Sequence, residues 1–122
     1  MFGDLFIQLD QEEELEEEVG KKHEKYPEFG DANSTKEEVY AFYNVWEDFQ
    51  TLKQFTYVDN YNPNEAPNRR IKRLIEQENK KERKKEQTRF NDKMYDLLMH
   101  LKKSDPRYQH YQEEERKEKM AK

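Results

Sequence analysis

The sequence predicts an all-α protein: a small helical bundle with an aromatic core and one long, protruding basic helix. Three observations predict it. Apolar residues recur at helical spacing in separate stretches of the chain. Ten of the sixteen aromatic residues fall between Tyr26 and Tyr61. Residues 69–93 hold 11 bases and 5 acids, a balance of +6, and no aliphatic or aromatic side chain stands between Glu78 and Arg89.

The 122 residues allow one domain. With 42% charged and 32% hydrophobic residues and a mean hydropathy of −1.52, the chain as a whole lies near the limit where apolar burial no longer offsets ordering entropy. Folding therefore rests on the aromatic window, whose large rings supply the most buried area per residue and can form a small core by themselves. The expected division is an acidic linker or helix over 1–25, a helical domain over 26–112, and a charged C-terminal tail over 113–122.

The elements follow in order. Phe2, Leu5, Phe6 and Leu9 recur at i, i+3, i+4 and i+7, one face of a short amphipathic helix. It runs into the acid cluster of "DQEEELEEEVG", expected to be a solvated tether that frays before Gly20. After "YPEFGDANSTKEE" the chain restarts. Ser34 with Glu37, or Thr35 with Glu38, has capping-box spacing. The helix behind that cap carries Val39, Phe42, Tyr43, Trp46, Phe49 and Leu52 on one stripe, with Trp46 at its centre. "FTYVDNYNPNEAPN", with Pro63, Pro67 and four asparagines, is a connection with a short extended piece.

A third helix should begin near Asn64 to Pro67, because proline is tolerated only in a first turn, and run to about Lys103. Its apolar residues cluster at two ends: Ile71, Leu74 and Ile75, then Phe90, Met94, Leu97, Leu98 and Leu101. Lys102 and Lys103 suit its C-terminus, and Ser104-Asp105-Pro106 ends it and caps the next. "RYQHYQEEERKEKMAK" is helical by propensity with few apolar anchors.

Charge divides as unevenly as hydrophobicity. Residues 1–65 hold 17 acids and 5 bases, a balance of −12; residues 66–122 hold 11 and 18, a balance of +7; together they give −5. Such asymmetry points the basic half toward something acidic. At 100° per residue, Arg69, Arg73, Lys80 and Lys84 fall within about 60° of one another, flanked by Arg70, Lys72, Lys81 and Arg83. Glu78, Glu82 and Glu86 occupy the other side and meet Lys81, Lys85 and Arg89 three residues on. One face is laced with ion pairs; the other is mostly unpaired base, interrupted by Glu76. Phosphate backbones are its natural target, since neutralising them releases condensed counterions and needs no reading of sequence. A-form RNA in particular is recognised by shape, phosphates and 2′-hydroxyls.

Other chemistries find little support. The absence of cysteine removes disulfides, thiol catalysis and thiolate metal sites and fits a reducing compartment. His23, His100 and His110 have no ligand spacing, and no nucleophile motif or glycine-rich phosphate loop occurs, so neither an enzyme nor a cofactor or small-molecule substrate is expected. No apolar run reaches the roughly 18–20 residues of a membrane span, and no signal-peptide core precedes the domain. Asn33-Ser34-Thr35 reads as a turn and cap rather than a glycosylation acceptor. A cytoplasmic protein that meets no membrane is expected.

"FGDANSTKEEVYAFYNVWEDFQTLKQF", then "APNRRIKRLIEQENKKERKKEQTRFNDKMYDLL" and "KKSDPR", resembles the zuotin-homology region of ribosome-associated J-proteins over roughly residues 26–108. Phe42-Tyr43, Trp46, Phe49, Thr51 and Phe55 followed by the basic Glu-Asn-Lys-Lys helix carry the likeness. "LFIQLDQEEE" is similar to the segment C-terminal to the J-domain in the cytosolic branch acting in late large-subunit maturation, favoured here over the zuotin branch that serves nascent chains. The resemblance implies docking on the large ribosomal subunit near the tunnel exit, through ribosomal RNA and protein. It places Arg69, Arg70, Lys72, Arg73, Lys80, Lys81, Arg83 and Lys84 at that contact. It also implies an attached J-domain that stimulates ATP hydrolysis by a DnaK-type chaperone. The His-Pro-Asp tripeptide of a J-domain is absent from this sequence, so the chaperone is expected to be reached only through a domain not in this chain. The alternative is a scaffold for acidic proteins without an RNA role, or a clasp in which Glu12–Glu18 cover the basic helix.

Overall fold

A computed structural model of the chain describes residues 2–16 and 25–121. Among these, four α-helices and no strand occur: α1 (Phe2–Leu15), α2 (Lys36–Glu47), α3 (Arg69–Ser104) and α4 (Pro106–Ala121). The side chain of Phe2, and Glu17, Glu18, Gly20 and His23, on which sequence expectations fell, lie outside the described residues.

The capping-box spacing selects Thr35. Its hydroxyl accepts from the Glu38 N–H at 3.2 Å while the Glu38 carboxylate accepts from the Thr35 N–H at 3.1 Å, satisfying two donors that a helix start leaves orphaned. The Ser34 hydroxyl serves the preceding turn instead, accepting from Asp31 N–H at 2.9 Å. That turn needs Gly30, whose φ is +78° and whose missing Cβ would lie 2.2 Å from Ser34 Oγ. Helix α2 buries Val39, Phe42, Tyr43 and Trp46 but ends at Glu47. Phe49 is buried just beyond it, and Leu52 is half-buried in a strap, so the apolar stripe outlasts the helix.

The aromatic window does not close a core by itself. Phe6 and Leu9 of α1 and Leu98 and Leu101 of α3 complete the buried cluster around Val39, Phe42, Tyr43, Trp46 and Phe49. Trp46 is its centre. Its ring stacks on Tyr26 at 4.5 Å, meets Phe6 edge-on at 4.9 Å and lies 5.3 Å from Phe49, while Nε1 donates to Pro27 O at 2.8 Å.

The acidic segment is therefore part of the fold as far as Glu16 can be followed, not a solvated tether. Asp10 Oδ1 accepts from the Tyr26 N–H at 2.9 Å. Glu13, 1% exposed, accepts from Thr51 Oγ1 and Leu52 N–H at 2.6 Å each, and Glu12 pairs with Lys53 at 2.8 Å. The strap thus held passes to α3, where Asn91 Oδ1 accepts from Thr51 N–H and Gln87 Nε2 donates to Lys53 O, both at 2.8 Å. Acidic residues stay buried here because each is bonded.

The junction of α3 and α4 is a buried polar lock. Asp105 follows α3 and precedes Pro106, the first residue of α4, where proline gives up no helical N–H. Its carboxylate accepts from Tyr43 Oη at 2.6 Å and from Arg107 Nη2 at 2.9 Å. Arg107 also donates to Phe29 O at 2.7 Å and lies 4.0 Å over the Phe29 ring. Burial opposes ionisation of Asp105, but the bonds from Arg107 and Tyr43 outweigh it and hold the carboxyl below its usual range. Burial and the adjacent Asp105 push the Tyr43 phenol upward. Helix α4, continuous through residue 112, is anchored by Tyr108 and Tyr111 against Tyr40, at 5.4 and 6.4 Å.

Candidate nucleic-acid interface

Helix α3 begins at Arg69 with Asn68 as its cap, Oδ1 accepting from Ile71 N–H at 2.9 Å; Pro67 stands just outside. Its 36 residues give a length of about 54 Å. Only the C-terminal part enters the core, so residues 69–85 project along one side of the connection. In that connection Asp59, Asn62 and Ala66 take extended backbone, without forming a strand. The connection forms two short 3-10 turns, Thr56–Val58 and Pro63–Glu65, and Phe55 before the first takes a left-handed φ of 56°.

The connection binds one flank of α3. Asn79 Nδ2 donates to Tyr61 O at 2.8 Å, and Arg83 Nε donates to Asp59 Oδ1 at 2.7 Å while Nη2 reaches Oδ2. The fork lets two parallel bonds form. The bond from Arg83 holds the Asp59 carboxyl below its usual range, and the same bond raises Arg83. Of the eight bases expected at the contact, Arg83 is thus half-buried and engaged within the molecule.

The other seven, Arg69, Arg70, Lys72, Arg73, Lys80, Lys81 and Lys84, are exposed, and none pairs with a carboxylate among the described residues. Arg69, Arg73, Lys80 and Lys84 share the 60° sector that helix geometry assigns them. Glu76, also exposed on that side, pairs with none of them. On the opposite side Lys85 pairs with Glu82 at 3.2 Å and Arg89 pairs with Glu86, as the three-residue spacing requires. Lys81 and Glu78 share that spacing without forming the pair. The clasp is not formed by Glu12 or Glu13, which bond to Lys53, Thr51 and Leu52.

Reasoning from sequence missed Asp59, Tyr61 and Asn79. Asn79 is the one short amide in a run of charges, a signal that this flank is covered. Nothing in the sequence tells which loop carboxylate reaches Arg83. Among the described residues no group of three or more His, Asp or Glu could hold a metal ion. None of the described helices is long and apolar enough to cross a membrane. What remains is a rigid, one-sided array of positive charge suited to a polyanion.

The family described as Zuotin-like, zuotin homology domain matches residues 10–109. No curated protein matches the chain.

Proposed function

The chain belongs to the Zuotin-like zuotin homology domain family, and from that membership and its basic helix we propose that it docks a J-protein cochaperone on the large ribosomal subunit by gripping ribosomal RNA phosphates. The observation that carries this reading is the sector of Arg69, Arg73, Lys80 and Lys84, exposed and without carboxylate partners among the described residues. Phosphate is the anion that dense, rigidly spaced cations meet without any need for pockets. Arginine adds two-point contact and lysine a point charge. Arg70, Lys72 and Lys81 widen the same surface.

The wider reading comes from the resemblance. The surface is near the tunnel exit, in the cytosol, and ribosomal protein shares it. Late large-subunit maturation is favoured over nascent-chain service on the "LFIQLDQEEE" lead-in. Recruitment of a DnaK-type chaperone belongs to a J-domain, whose His-Pro-Asp tripeptide this sequence lacks. The role is binding, not catalysis.

Reversing Arg69, Arg73, Lys80 and Lys84 together to glutamate tests the proposal. Circular dichroism should be nearly unchanged, because none of the four is buried. Co-sedimentation with large subunits should be abolished. For the native chain, log affinity against log salt should fall with a slope of about −3 if each base meets one phosphate. Full binding by the fourfold variant would remove this helix from docking. Binding to acidic proteins but not to ribosomal RNA would favour a protein scaffold.

A further inference from the structure

A cleft of about 630 Å³ lies between α3 and the connection, directly beside the basic sector. Its volume suits a small-molecule-sized group. Lys80 and Lys84 line it from α3 and are exposed, and Pro63 closes the connection side. The same α3 wall carries Glu76, Asn79 and Gln87. Both amides have turned a donor into the protein: Gln87 Nε2 to Lys53 O and Asn79 Nδ2 to Tyr61 O, each at 2.8 Å. Each keeps its carbonyl oxygen as an acceptor, beside a second N–H. Asn79 is 3% exposed, and its Oδ1 has no partner in the protein, an unusual state for a buried carbonyl. Gln87 is half-buried and Glu76 exposed, so these two acceptors are reachable from outside.

Cations beside acceptors define a ligand with both negative charge and hydroxyl donors. A phosphate alone satisfies the lysines and leaves the acceptors idle, and next to Glu76 it is repelled. DNA has that shortcoming. RNA supplies a 2′-hydroxyl donor next to each phosphate. We propose that this cleft seats one ribose–phosphate unit of RNA, the phosphate on Lys80 and Lys84 and the 2′-hydroxyl donating to Gln87 Oε1 or Glu76. The inference rests on the phosphate-gripping reading and adds to it a means of telling RNA from DNA. Asn79 supports the seat from below, pinning Tyr61 so that the connection forms the far wall.

The test titrates the 122-residue chain with three duplexes of one sequence at one salt concentration: RNA, fully 2′-O-methylated RNA, and DNA. The methylated duplex keeps A-form shape and phosphates but has no 2′-hydroxyl donor. It should bind about twofold to tenfold more weakly than RNA, the range of a neutral hydrogen bond, with an unchanged salt slope. Gln87→Met should shrink that gap; its melting midpoint is measured alongside, because the bond to Lys53 O is lost too. Equal affinity for RNA and methylated RNA would overturn the cleft while leaving the phosphate reading intact. An undiminished gap in Gln87→Met, with Glu76→Ala also retaining it, would place the hydroxyl contact elsewhere and overturn it as well. Failure to bind any of the three duplexes would sink the phosphate reading itself.

Discussion

The two halves of α3 share a continuous backbone and little else. Its C-terminal half buries Leu98 and Leu101 and packs Phe90 and Met94 against the aromatic cluster. The N-terminal half buries only Asn79 and leaves Leu74 at 52% exposure. The C-terminal half is helical because tertiary packing requires it. The N-terminal half is helical because its residues have good propensity, local ion pairs and a polar connection along one flank. Apolar burial and unpaired positive charge are thus separated along one rod. Charges are tolerated in the projecting half because no core depends on them.

The largest effect should come from the aromatic end. Trp46→Ala should cost about 3–5 kcal/mol, set against a total of only about 5–15 kcal/mol for a domain. It also removes the bond to Pro27 O. The protein should be largely unfolded near physiological temperature, and ribosome binding should go with it. A melting midpoint within a few degrees of the native chain would mean that the cluster is not organised around this ring.

Asp105→Asn should come next, at about 3 kcal/mol, because it leaves the Arg107 guanidinium buried without its carboxylate. It also has a pH signature. The folded-state pKa of Asp105 lies below its unfolded value of about 3.9. Its contribution is therefore complete above about pH 4 and is lost as pH falls through the folded pKa. Melting midpoints of the native chain should drop across that acid window. The variant should drop less, with Glu12 and Asp59, also held low by Lys53 and Arg83, supplying the remainder. Parallel curves for the two proteins would show that the Asp105 lock is not ionised in the way its partners imply.

The smallest effect belongs to the ion-paired face of α3. Reversing Lys85 and Arg89 to glutamate breaks two exposed i,i+3 pairs and creates two like-charge pairs, a loss of about 1 kcal/mol or less. Large-subunit binding should fall far less than in the fourfold reversal, since these two bases face away from the sector. Equal loss in both variants would mean that total charge governs docking and that the division of α3 into faces has no consequence.

The helices were legible to different depths. Thr35 with Glu38, and Asp105 before Pro106, are local signals, and both act where the sequence places them. The grouping of Arg69, Arg73, Lys80 and Lys84 in one sector follows from the same arithmetic, because helix geometry fixes which side chains share a face; that all four stay exposed is decided by the fold. Phe49 and Leu52 were misplaced on α2 because periodicity does not say where a helix stops when burial continues past its end. The acidic lead-in was misread for a related reason. Glu12 and Glu13 look like neighbours in one charge run, but their burial and bonding depend on Thr51, Leu52 and Lys53, some forty residues away.

By itself, then, the sequence determined the all-α class, the aromatic cluster around Trp46, and the one-sided charge of α3. All three depend on composition and on spacing within a helix. The tertiary structure alone decided that α1 belongs to the core, that Arg83 turns inward to Asp59, and that Tyr43, Asp105 and Arg107 form one buried lock. Each of those outcomes joins residues distant in the chain, and a carboxylate or guanidinium carries the same charge whether it faces water or a partner. Only the folded path of the chain determines which of the two it meets.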